Sequence, residues 1–110
     1  MTPEKFRSIA LKLAGVVESS HMGHPDFRHK GKVFATLGYP DGAFAMVKLS
    51  PDQQRRFIKD APKVFSPSKG AWGLSGSTLV HLASARLPIV TEAILTAYQN
   101  VPDPAKKPRK

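Results

Sequence analysis

Cysteine is absent from the 110 residues. No disulfide framework can hold this chain, and no thiolate can serve as nucleophile or zinc ligand. A reducing compartment suits such a composition. Long apolar runs are missing too. The opening MTPEKFRSIALKLAG is charged throughout and reads as neither a signal peptide nor a membrane span. No membrane partner is therefore expected, and the cytoplasm is the expected location. Acidic residues are few: eight Asp and Glu face seventeen Lys and Arg. The carboxylates Glu4, Glu18, Asp26, Asp41, Asp52, Asp60, Glu92 and Asp103 are scattered, most of them at turns or helix starts where they have local structural reasons. No paired carboxylates for acid–base chemistry are visible.

What is present is a formal charge of +9 on a chain that is 41% hydrophobic and holds six Phe. That length and apolar content suit one domain with one core. Residues 1–102 are read as that domain and 103–110 as a basic disordered tail. The tail DPAKKPRK sets Lys106, Lys107, Arg109 and Lys110 against Asp103 alone, so +3 of the excess is local and +6 belongs to the body. A basic body attracts polyanions over about one Debye length, roughly 8–10 Å in ordinary salt. The plainer account of the charge is solubility. KKPRK also has the look of a nuclear-import signal, although a solvated tail is the simpler reading.

The chain divides into elements by its periodicity. Thr2, Pro3 and Glu4 begin a first helix whose apolar face is Phe6, Ile9, Ala10 and Leu13, with Gly15 ending it. VVESSHM and DFRH are strand candidates, and residues 29–32 a tight turn into KVFATL. In that strand Val33, Ala35 and Leu37 should point one way and Lys32, Phe34 and Thr36 the other. GYPDG supplies a turn into AFAMVKL, where Ala43, Ala45, Val47 and Leu49 oppose Phe44, Met46 and Lys48. Ser50, Pro51 and Gln53 start a short helix with Phe57 and Ile58 inward, broken by Pro62. Val64 and Phe65 open a strand, and residues 66–77 form a Gly/Ser-rich loop or loose ribbon around Trp72. STLVHL is a further strand. A last helix from about Pro88 to Gln99 has Leu87, Val90, Ile94, Leu95 and Tyr98 as its apolar face. The order predicts an α/β (α+β) two-layer sandwich: a mainly antiparallel sheet with the terminal helices on one face and the other face open.

Candidate chemistry starts with HMGHPDFRH, where His21, His24 and His29 fall within nine residues. Imidazole suits zinc, copper or nickel, but this spacing matches no standard site and Asp26 is the only nearby carboxylate. Surface or hydrogen-bonded histidines are expected, with no metal or cofactor, and His81 at the sheet margin. GLSGS at 73–77 has Ser77 where a G-x-S-x-G elbow needs Gly, and lacks the strand–elbow–helix context. The glycines at 70, 73 and 76 match neither a dinucleotide fingerprint nor a Walker loop, though backbone N–H groups there could hold one phosphate oxygen. For an enzyme, His21 or His24 with Asp26 is the one local pair worth testing. Oligomeric state and any base preference are not encoded in a readable form.

The run from LAGVVES through HMGHPDFRHKGKVFATL carries a resemblance. Gly15, Val16, Glu18, Ser19, Gly23, Pro25, Phe27, Gly31, Lys32, Phe34, Ala35 and Leu37 resemble the opening of the MmcQ/YjbR-like family. Lys48, Pro51, Pro62, Phe65, Pro67, Gly70, Trp72 and Leu82 resemble its later half, for a match over about residues 4–101. Ala71 separates Gly70 from Trp72 where the family often reads Gly-Trp. The resemblance implies a frataxin/CyaY-like sandwich and a DNA-binding label resting on β-hairpin wings, with no agreed active site. Iron, the frataxin analogy, is rejected: an acidic ridge is needed, and the first helix has only Glu4 against Lys5, Arg7 and Lys12. The expectation is a non-enzymatic nucleic-acid module in which Arg28, Lys30, Lys32, Lys48 and Lys69 meet phosphates. Trp72 would give apolar contact, joined by Phe34 or Phe44 unless those two rings are core. The alternative is a protein-interaction or small-ligand domain using the helix-free sheet face.

Overall fold

The computed structural model describes residues 1–39 and 41–102; the basic tail expected over 103–110 lies outside the described residues. Helix α1 (Pro3–Leu11) opens as its signals dictate, with the Thr2 side chain accepting from the Lys5 N–H, but it closes at Lys12, before Gly15. Three strands follow: β1 (Val16–His21), β2 (His24–His29) and β3 (Lys32–Leu37). Two-residue turns join them. Met22–Gly23 and Lys30–Gly31 all have positive φ, between 52° and 81°, the pattern of a type I′ hairpin turn whose twist suits the flanking strands. Strand β4 (Phe44–Lys48) leads into α2 (Pro51–Asp60), whose start is a full capping box between Ser50 and Gln53.

The Gly/Ser-rich stretch is not a ribbon. After β5 (Phe65–Pro67) it winds into a short helix, α3 (Gly70–Leu74), before β6 (Ser77–His81). A Cβ on Gly73 would stand 1.9 Å from the Ser68 carbonyl oxygen, and one on Gly76 1.9 Å from that of Leu49. The glycines are there because backbone passes backbone at those two points. A 3₁₀ turn (Leu82–Ser84) then leads to α4 (Leu87–Asn100).

The strands form one antiparallel sheet in the order β1-β2-β3-β4-β6-β5. One row of opposed residues crosses it as Glu18, Phe27, Ala35, Val47, Thr78 and Pro67, under the helices; the next is Ser19, Asp26, Thr36, Met46, Leu79 and Ser66, on the other face. The two-layer sandwich is therefore as the pattern of elements requires. Packing on the helix side is dense. Phe6 of α1 meets Phe27, Phe57 of α2 meets Phe65, and Val90, Ala93, Ile94 and Ala97 are the buried stripe of α4. Leu87 and Leu95 stay exposed, so that stripe is narrower than the sequence pattern suggested. Five Phe are at most 1% exposed; each contributes about 2–3 kcal/mol of hydrophobic stabilisation.

Strict alternation fails in β3. The pairing with β2 shifts between Phe27 and Arg28, so Val33 faces Arg28 and Ala35 faces Phe27, with Phe34 extra between them. This bulge turns Phe34 to the helices, where its ring meets Tyr98 edge-on at 5.7 Å. Phe34 is core, 1% exposed, and cannot give the apolar contact to a partner that the alternation assigned it. Tyr98 also stacks on His29 at 4.3 Å and donates to the Ala14 carbonyl, tying α4 to the first hairpins. No described helix is long and apolar enough to cross a membrane.

Candidate functional site

The lysines gather at one end of the sheet. Lys32 begins β3 and Lys48 ends β4, so antiparallel pairing brings both to the same end. Both line a cleft with Ala97, Asn100 and Pro102 at the end of α4. Lys48 stands opposite Ser77, and Ser68 bonds across to Ser77 from the far side, so Lys69 follows at the same end. Lys30 sits in the turn before β3. Among the described residues, no ion pair takes Lys32, Lys48 or Lys69, and all three are exposed.

Arg28 belongs elsewhere. It lies on the open face beside Asp26, whose carboxylate is wholly buried. Arg28 Nε donates to Asp26 Oδ1 at 2.8 Å and its Nη2 to Oδ2 at 3.1 Å, a bidentate pair; His21 Nδ1 lies 2.6 Å from Oδ2. The Arg28 bond is the main cause holding the Asp26 carboxyl below its ordinary range, with His21 helping and burial opposing. Two of Arg28's donors are thus spent inside the protein, and the lysines at the end of the sheet form a set without it.

The open face itself is not a row of cations. A cleft of about 340 Å³ lies there, lined by His21, Met22, His24, Thr36, Tyr39, Met46, Trp72 and Ser77. The Met22–Gly23 turn puts His21 opposite His24, which spacing along a single strand did not suggest. His24 meets Tyr39 edge-on at 5.6 Å. Helix α3 leans over the other side and brings Trp72, 65% exposed, to the rim. Phe44 stacks on His81 at 5.2 Å on this same face, outside the cleft. The signal for the cleft was present in two X-Gly turn pairs, but only long-range pairing joins residue 21 to residue 72.

The histidines do not form one group. His21 and His24 share the open face, His29 lies under α4, and among the described residues no three His, Asp or Glu come together. Ser75 donates to the Ala71 carbonyl within α3, and the Ser77 hydroxyl bonds Ser68. The His21–Asp26 pair has the geometry of a base held by a carboxylate, yet among the described residues no hydroxyl is bonded to His21.

Comparisons with known proteins fit this architecture. A crystal structure of the Deinococcus radiodurans protein DR2400, which carries a DUF419 domain, is similar with a TM-score of 0.78 at 15% identity. The alignment covers 96% of this chain and 82% of that one. At that identity the likeness concerns the fold. Among curated proteins no sequence match is found. The YjbR family model matches residues 11–100, from the end of α1 to the end of α4. With that span matched, this chain belongs to the YjbR family.

Proposed function

We propose that this protein binds nucleic acid, DNA in the first instance, by contacting phosphates with the basic end of its sheet. One observation carries the reading: three separate segments deliver Lys32, Lys48 and Lys69 to one end, and no described acid pairs with them. Unpaired surface ammonium groups can neutralise phosphates and release the counterions condensed on the nucleic acid, and that release drives binding. Lys30, in the turn before β3, lies at the same end. Trp72, on the short helix after Lys69, adds an exposed aromatic surface beside them. Arg28 has no phosphate role in this reading, since Asp26 occupies it.

Binding to duplex DNA, measured by anisotropy across a salt series, tests this. With three phosphates neutralised, log K should fall against log salt with a slope of about −3 after residues 103–110 are removed. The full chain should give a steeper slope. No binding near 50 mM salt, or a flat response in the shortened chain, overturns it.

The cleft on the open face favours a second reading, a small-ligand or protein-docking role. Its walls are aromatic and thioether surface, and Met22 is 90% exposed at its edge. Such a role predicts an affinity almost indifferent to salt, because apolar burial releases no counterions.

A further inference from the structure

The floor of the open-face cleft holds an unusual group. Thr36 is 2% exposed, yet its hydroxyl has no hydrogen-bond partner among the described residues. A buried, unpaired hydroxyl is destabilising unless something comes to bond it. It lines the cleft together with Met46 and Trp72, so an occupant of the cleft packs against this residue. His21 offers a second polar atom: its Nδ1 is committed to Asp26, which leaves Nε2 for a ligand. The walls are flat or polarisable, namely the indole of Trp72, the ring of Tyr39 and the thioethers of Met22 and Met46. Met22 is held in its place at φ 52°, a backbone region a non-glycine residue seldom adopts. A second cleft adjoins the first. It shares Trp72 and Ser77 and runs to Lys48.

The occupant these features describe is a flat heteroaromatic ring with polar edge groups, tethered to an anion. A hydrocarbon ligand would leave the Thr36 hydroxyl unsatisfied, and an uncharged one would have no use for Lys48. We propose that the cleft takes one unpaired nucleobase of a single strand, stacked against Trp72 and hydrogen-bonded to Thr36, with the adjoining phosphate on Lys48. This rests on the reading of the lysines as phosphate contacts and adds to it a preference for single-stranded over duplex nucleic acid. A base inside a duplex is stacked on both faces and paired at its edge, and cannot enter.

Trp72 is the chain's only tryptophan, so all of the indole emission arises at the rim of the cleft. The full chain is titrated near 50 mM salt with a short oligothymidylate, an abasic strand of equal length and a duplex. The oligothymidylate should quench Trp72 and bind about tenfold tighter than the abasic strand, the scale of one stacked base. The abasic strand should leave the emission unchanged. Followed by anisotropy, Trp72→Ala should bring the two strands to equal affinity. Thr36→Val, which removes the unpaired hydroxyl at nearly constant shape, should weaken oligothymidylate several-fold while the melting temperature holds or rises. Equal affinity for the two strands in the unaltered protein, with unquenched emission, overturns the base site and leaves the lysine reading standing. Failure of every strand to bind overturns both.

Discussion

Asp26 shows how one buried side chain sets the properties of its neighbours. A carboxylate with no exposure survives because Arg28 and His21 bond both its oxygens. The two ends of this network are unequal. Arg28 reaches solvent, so Asp26→Asn leaves a cation that water can take up and costs about 1–2 kcal/mol. Arg28→Ala strands a buried anion and costs more. Urea midpoints at pH 7 should rank them in that order. The folded pKa of Asp26 is depressed, so its stabilising contribution is complete above the unfolded value of about 3.9. The contribution is lost as pH falls below that value and on through the folded one. The unaltered protein should therefore lose more stability between pH 7 and pH 3 than Asp26→Asn does. The sequence offered the pairing of His21 with Asp26, but neither the burial of Asp26 nor its hold on Arg28, expected at a phosphate, was legible in DFRH. Alternation showed that they share a face, but not that the face is buried at Asp26.

At the level of elements, local signals were good guides to starts and poor guides to what lies between. Thr2–Pro3 and Ser50–Pro51–Gln53 placed two helix starts because capping is chemistry within four residues. Ser50→Ala removes one half of the capping box and should cost about 1 kcal/mol by denaturant melt. Helix α3 was hidden because glycine and serine are weak helix formers. It forms because Gly73 and Gly76 let it close against Ser68 and Leu49, and because Gln54 donates to the Gly73 carbonyl. Gly76→Ala meets both a 1.9 Å clash and a φ of 110°, and Gly73→Ala the clash alone. Either should cost at least about 2 kcal/mol, a fall of some 8–15 °C in Tm for a chain of this size. The bulge at Phe34 was hidden for a similar reason. Nothing in KVFATL marks it, and it exists because both Phe34 and Ala35 gain burial under α4 and α1.

For the whole molecule the question is where charge sits, since net charge alone speaks only to solubility and steering. Two triple variants separate place from amount. Lys32→Glu, Lys48→Glu and Lys69→Glu together lower the charge by as much as Lys5→Glu, Lys59→Glu and Lys63→Glu do, and all six lysines are exposed. In the chain without residues 103–110, the first set should abolish measurable duplex binding at about 100 mM salt, whereas the second should weaken it only slightly, through the screened long-range field. Both should keep the unaltered circular dichroism spectrum. Equal losses would assign the affinity to charge in bulk.

The sequence by itself determined the sandwich: which segments are helix or strand, the short helix α3 apart, that the pairing is antiparallel, and that the terminal helices share one face. Those follow from periodicity, capping and turn residues, which act over a few positions. It also carried the excess of cations. Only the tertiary structure decided which of them meet, because strand order and register bring residues 32, 48 and 69 to one end and join residue 21 to residue 72. The same register took Arg28 out of that set by setting it against a buried carboxylate, and a bulge took Phe34 into the core. Long-range pairing is settled by the burial of the whole core at once, so no short window of sequence contains it.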